Sequence, residues 1–123
     1  MTHMTEMDTQ VTLADQLQDT EGPVILVNKF EVAKPDVDQF LAAWAADAVF
    51  FKQQPGFISA QLHRGIAGSS LFLNYAVWES AGAFRRASAL PEFRANLTRY
   101  PASVVASPHL FRKVAVPGVC VAT

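Results

Sequence analysis

The chain has 123 residues, half of them hydrophobic, with nine Phe and two Trp, and carries a net charge of −1. That length supports one domain around one core, and the composition excludes a disordered chain. The near-neutral balance leaves no electrostatic footprint for nucleic acid.

The opening residues MTHMTEMDTQ have neither a basic region nor an apolar one, so they are not a secretory signal. No apolar run approaches the roughly 20 residues that span a bilayer. Cys120 is the one cysteine, which rules out an internal disulfide and points to a reducing cytoplasm. Residues 1–20 are polar, rich in Thr, Gln and acidic groups, and read as a mobile N-terminal arm ahead of a single domain over 21–123. Val11, Leu13, Ala14 and Leu17 form a short patch within it, either a frayed tail or a docking point on the body or on a second subunit.

Gly22-Pro23 ends the arm. Residues 24–32, VILVNKFEV, begin as a continuous apolar run and then alternate, which fits a strand. Lys34-Pro35-Asp36 reads as a helix start, with Pro in the first turn and acidic groups at the positive helix end. Val37, Phe40, Leu41, Trp44, Ala45, Ala48 and Phe51 recur at steps of three and four, giving one apolar face, and Gln54-Pro55-Gly56 stops the helix. A second strand covers 57–64, with Ile58, Ala60 and Leu62 on one face and Phe57, Ser59, Gln61 and His63 on the other. A turn-rich loop over 65–70 leads to a third strand, LFLNYAVW. Ser80 caps a helix over 81–90, Pro91 interrupts it, and a second helical piece reaches Tyr100. A last strand over 110–116 ends at Pro117-Gly118.

The order strand, helix, strand, strand, helix, strand is the βαββαβ split unit of α+β ferredoxin-like folds. Four antiparallel strands with both helices on one face leave the other sheet face bare, and a homodimer is its natural cover.

Dinucleotide and P-loop signatures are absent. His3, His63 and His109 stand far apart with no carboxylate or Cys at ligand spacing, which argues against a metal. No G-x-S-x-G elbow occurs, and Cys120 has no neighbouring His. What remains is polar groups on apolar strands. Strand parity places Phe72, Asn74, Ala76 and Trp78 on one face, and Leu26, Asn28 and Phe30 on the matching face of the first strand. In this topology those strands are central neighbours, so Asn28, Asn74 and Trp78 can face one cavity between sheet and helices. The plainer alternative is that each Asn is a buried amide satisfied by backbone and Trp78 is core. Phe40, Trp44, Phe51, Phe84 and Phe93 are core by default, but a pocket lined with such rings suits a flat apolar ligand. His63 faces either solvent or the cavity. Arg85, Arg86, Arg94 and Arg99 make a solvated face from which one can reach a pocket mouth.

Over residues 23–116 the pattern resembles the antibiotic biosynthesis monooxygenase family of dimeric α+β barrels. The segments that carry the resemblance are VNKF, FFKQQPGF, NYAVW and AFRRA. P-G-F after a helix and a strand ending in V-W support the fold alone. The combination of Asn28, Asn74 and Trp78 looks like the functional set of cofactor-independent oxygenases, of the nogalamycin-pathway type, that convert anthrones of aromatic polyketides into quinones. The resemblance implies a homodimer that uses molecular oxygen and no cofactor. Asn74 and Trp78 would polarise a substrate oxygen, and Asn28 would orient the substrate or help take its proton. The substrate-binding set would be Phe40, Trp44, Phe51, Phe57, Phe72, Phe84 and Phe93 together with His63 and Arg86, the two candidates for the His and Arg implicated in actinorhodin-type relatives.

In such a reaction the substrate supplies the electrons. Loss of a proton from the CH2 between the rings leaves an anion that can pass one electron to O2. The protein has to exclude water, hold the rings flat and stabilise an oxyanion with neutral donors. A haem-degrading branch of the same superfamily is the nearest rival reading. It pairs an Asn and a Trp with an axial His on the second helix, where residues 81–100 contain no His and Ser88 stands at about that place. A non-catalytic ligand-binding module is the other rival.

Overall fold

The computed structural model describes residues 3–20 and 22–123. In chain order they form β1 (His3–Met4), α1 (Leu13–Gln16), β2 (Val24–Glu31), α2 (Val37–Lys52), β3 (Phe57–Arg64), β4 (Leu71–Trp78), α3 (Ala81–Ser88), α4 (Pro91–Leu97) and β5 (Val105–Phe111). The sheet order is β1-β5-β2-β4-β3. β1 runs parallel to β5, and every other pair is antiparallel. This is the ferredoxin-like α+β fold, with one short edge strand more than the four the sequence indicated.

Local chemistry explains most boundaries. Pro35 lies in a 3-10 turn, Lys34–Asp36, that feeds α2. Ser80 accepts a hydrogen bond from the Ala83 N–H at 3.1 Å and caps α3, and Pro91 opens α4. Gly56, in the turn before β3, has φ +88°, and a Cβ there would lie 2.4 Å from the Ala83 Cβ. Only glycine permits both that backbone and that approach of α3.

The last strand differs from the sequence reading. It spans Val105–Phe111, not 110–116, and Pro108 lies inside it. β5 has an outer neighbour only at Val105 and Ala106, so Pro108 sits where the strand is an edge, the place a sheet tolerates a missing N–H. The tail beyond it is exposed and holds only an isolated bridge between Val116 and Cys120.

The N-terminal segment is docked rather than hanging free. The N–H groups of His3 and Thr5 donate to the carbonyls of Val104 and Ala106 at 2.9 and 2.8 Å. A capping box of Thr12 and Asp15 starts α1. The Gln16 amide then pairs with Leu110 of β5, donating to its carbonyl and accepting from its N–H, both at 2.9 Å. Gln16 thereby continues the strand ladder with a side chain. Leu13 and Leu17 pack against the core, and Arg85 Nη1 donates to the Leu17 carbonyl at 3.0 Å, so the short apolar patch docks on the body, one of the two readings its sequence allowed.

The helix-facing side of the sheet carries the core in two clusters. One gathers Val24, Leu26, Ala76, Trp78, Phe84 and Leu110, and the other Phe30, Val32, Phe40, Phe72, Tyr100 and Val104. On β2, Asn28 separates Leu26 of the first cluster from Phe30 of the second. On β4, Asn74 separates Ala76 from Phe72 in the same way. The polar interruptions in the two strands therefore mark the seam between two apolar clusters. Among the described residues no helix is long and apolar enough to cross a membrane.

Candidate active site

A small cleft of about 60 Å³ lies along that seam. The sheet provides Leu26, Phe30, Ala60, Asn74, Ala76 and Trp78 as one wall. α2 provides Trp44, Asp47, Ala48 and Phe51 as the other, and Phe57 of β3, Phe84 and Tyr100 complete the lining. Trp78 is 1% exposed and is held edge-on by Phe51 and Phe57, with ring centroids at 5.5 and 5.4 Å. Phe84 packs on it at 5.5 Å. Such contacts fix the indole as a rigid wall.

Of the residues the sequence nominated, the structure brings Asn74, Trp78, Trp44, Phe51, Phe57 and Phe84 to the cleft. Simple alternation puts Phe57 on the face opposite Ala60 and Leu62. It reaches the cleft because β3 carries a bulge, in which Phe57 pairs with Trp78 and Ser59 with Val77. The extra residue, Ile58, reverses the parity, leaving Phe57, Ala60 and Leu62 on the core side.

Asn28 lies directly opposite Asn74 in the register of β2 and β4, as strand parity required. Its amide oxygen, however, accepts the Ser107 N–H at 3.1 Å, and it is not among the lining residues. Asn28 ties β2 to β5 beside Pro108, its partner in the register. Phe40 is wholly buried, and its ring meets Phe72 at 5.0 Å inside the second cluster. Phe93 stands behind Phe51 at 5.1 Å. His63 is exposed on the outer sheet face, its Nδ1 3.2 Å from the Leu73 carbonyl. Arg86 projects from the exposed side of α3 beside Gln54 and Leu90. Phe40 and Phe72 are thus one layer too deep, half-buried Phe93 backs Phe51 from α4, and His63 and Arg86 lie outside the cleft.

The sequence reading missed Asp47 and Tyr100. Asp47 is 7% exposed, on the buried side of α2 with Phe40 and Ala43. The Tyr100 hydroxyl donates to its Oδ2 at 2.5 Å. Burial lifts the Asp47 carboxyl from its ordinary 3.8 up to about 6, against the opposing pull of the Tyr100 hydroxyl, the nearby Asn96 amide and the positive charge of Arg99. Burial and the adjacent carboxylate push the Tyr100 hydroxyl upward, so it stays protonated. The signal for Asp47 was available, since it follows Ala43 by four and Trp44 by three on the apolar stripe.

Among the described residues, three buried side-chain atoms have no hydrogen-bond partner within the protein: Asp47 Oδ1, Asn74 Oδ1 and His109 Nδ1. Two of the three belong to residues that line this one cleft. A buried polar group left unpaired costs about 1–3 kcal/mol, so two together in an aromatic slot single out this cleft as the candidate site. No group of three or more His, Cys, Asp or Glu among the described residues is placed to hold a metal ion.

The family model described as antibiotic biosynthesis monooxygenase matches residues 23–98. A deoxynogalonate monooxygenase of Streptomyces nogalater is 39% identical over 75 residues, and the match spans 61% of this chain and 63% of that protein. The crystal structure of SnoaB, a cofactor-independent oxygenase of the same organism, is 33% identical and superposes with a TM-score of 0.71, covering 80% of this chain and 99% of that one. A conserved protein of Methanosarcina mazei, 13% identical with a TM-score of 0.68, covers 76% of this chain and 94% of its own and shares the fold.

Proposed function

Because the chain belongs to the antibiotic biosynthesis monooxygenase family, we propose that it is a cofactor-independent oxygenase that uses O2 to convert an anthrone-like phenolic polyketide into a quinone. The observation that carries this reading is Asn74, whose amide oxygen is buried without a partner beside Trp78 in a ring-lined cleft. An amide offers an acceptor to a substrate hydroxyl and a neutral donor to a substrate oxyanion. It does so without the desolvation cost of a buried permanent charge. The aromatic walls suit a flat polycyclic substrate, and the similarity to oxygenase chains of Streptomyces nogalater is consistent with this chemistry. No His is among the lining residues, so the haem-degrading alternative has no imidazole in the cleft to serve as an axial ligand.

The working unit in this reading is a cytoplasmic homodimer. Leu71, Tyr75 and Val77 of β4 and Ile25 and Val27 of β2 leave an apolar sheet face outside the helices, with Tyr75 39% exposed. A second copy would cover it.

The test is oxygen uptake by metal-stripped protein supplied with an anthrone and nothing else. Stoichiometric O2 consumption with appearance of the anthraquinone is the expected result. Turnover that requires added flavin or iron would remove the cofactor-free assignment.

A further inference from the structure

We propose that Asp47 is the catalytic base that takes the proton from the substrate methylene, with Tyr100 as the positioning residue that aims it; this assignment rests on the oxygenase reading above. Asp47 is the only carboxylate among the described residues that line the cleft. It is more than nine-tenths buried. Its two oxygens are not equivalent, because Oδ2 receives the Tyr100 hydroxyl while Oδ1 has no partner within the protein. One oxygen is thus anchored and the other left for a ligand. Asp47 and Asn74 stand on opposite walls, helix against sheet, so a planar substrate between them meets a proton acceptor on one side and an amide on the other.

The electrostatics suit a base at neutral pH. A carboxyl titrating at about 6 is mostly ionised at pH 7, yet it is a stronger base than an exposed aspartate. The groups that face it are the Tyr100 hydroxyl, the Asn96 amide and the Arg99 guanidinium, and all three favour the ionised form.

The step balances as follows. The C–H bond breaks, its proton goes to Asp47 Oδ1, and the electron pair stays on the substrate, spread onto the ring carbonyl. The anion passes one electron to O2, and the resulting radical and superoxide join in a C–O bond. The peroxide so formed is protonated by Asp47. Regenerated, the carboxylate takes the second C–H proton as the O–O bond breaks. The electrons of that C–H bond close the new carbonyl, and the departing hydroxide takes up the proton to leave as water. One O2 is consumed, one oxygen atom stays in the product, and Asp47 ends as it began.

Three measurements on the full chain test this. Asp47→Asn is expected to lower anthrone turnover at least about 100-fold while binding of anthraquinone, followed by Trp fluorescence, stays within threefold of the parent. The parent's kcat/KM is expected to fall on the acid side with a midpoint near 6. Tyr100→Phe removes a hydrogen bond that favours the carboxylate, so that midpoint should move upward by about half a pH unit or more. A residue that served folding alone would leave the midpoint in place. Asp47→Asn retaining turnover within fivefold of the parent overturns the assignment, as does a Tyr100→Phe profile superimposed on the parent's. If Asp47→Asn does not fold, the Tyr100→Phe profile decides by itself. A parent that takes up no oxygen with any anthrone defeats the oxygenase reading and this role together. An active parent with an unimpaired Asp47→Asn variant defeats this role alone.

Discussion

Tyr100 donates its hydroxyl hydrogen to Oδ2 of Asp47 at 2.5 Å, across 53 positions of sequence. The contact fastens the chain after α4 to the middle of α2. It also gives the cleft a buried carboxylate with one oxygen engaged and one unpartnered. Tyr100 rests in turn on Phe30, their rings nearly parallel with centroids 6.3 Å apart, so the carboxylate is held against the sheet through an aromatic spacer.

A buried carboxylate of raised pKa should weaken the fold at neutral pH. The folded-state value of about 6 exceeds the ordinary 3.8. The unfolded chain therefore ionises first as pH rises, and stability is lost between those two values and stays lost above them. Asp47→Asn should accordingly be more stable than the parent by about 1–3 kcal/mol at pH 7. The gap should narrow to near zero below pH 4. Urea unfolding at pH 3.5 and pH 7.5 checks the sign, and a gap that widens toward acid would contradict it.

Asn74→Ala should separate catalysis from folding. Its amide oxygen has no partner within the protein, so truncation forfeits no hydrogen bond of that oxygen and stability should change by less than about 0.5 kcal/mol. Turnover of an anthrone should fall about 100-fold or more through loss of the amide that meets the substrate oxygen. Near-parental kinetics would return Asn74 to the status of a core amide.

Ala60 is the small residue through which β3 lines the cleft. Ala60→Leu should obstruct a planar tricycle and raise KM at least about tenfold, at a stability cost of about 1–3 kcal/mol from overpacking. Steady-state kinetics alongside thermal melts resolve the two effects. An unchanged KM would mean that substrate does not approach Ala60.

Gln16 holds α1 to β5 with two hydrogen bonds to Leu110, and its Nε2 also lies 3.0 Å from the His109 Nε2. Gln16→Ala leaves the Leu110 N–H and carbonyl without those partners and should cost about 1–2 kcal/mol. Hydrogen exchange at the Leu110 amide should accelerate. Unaltered protection there would show that Gln16 is not what seals the strand.

The elements were legible because each is written in local periodicity. The alternation in LFLNYAVW placed Asn74 and Trp78 on one face, and β4 has that face buried at Phe72, Ala76 and Trp78. The spacing of Phe40, Trp44 and Phe51 gave α2, and Ser80 and Pro91 marked the starts of α3 and α4. Periodicity reads only regular elements, so it failed at the bulge at Ile58, which turned Phe57 inward. It failed again at Pro108, where a residue that usually ends a strand is tolerated because the neighbouring strand has already stopped.

From the sequence alone came the α+β order, the facing positions of Asn28 and Asn74, and the aromatic stock of the core. Those follow from side-chain spacing and backbone preference, which act over a few residues. Only the tertiary structure decided that Asn28 binds β5 while the Asn74 amide oxygen stays unpaired, and that Asp47 meets Tyr100. It also decided that His63 and Arg86 lie outside the cleft. Which partner a polar atom finds depends on segments far apart in the chain, and no local pattern encodes that distance.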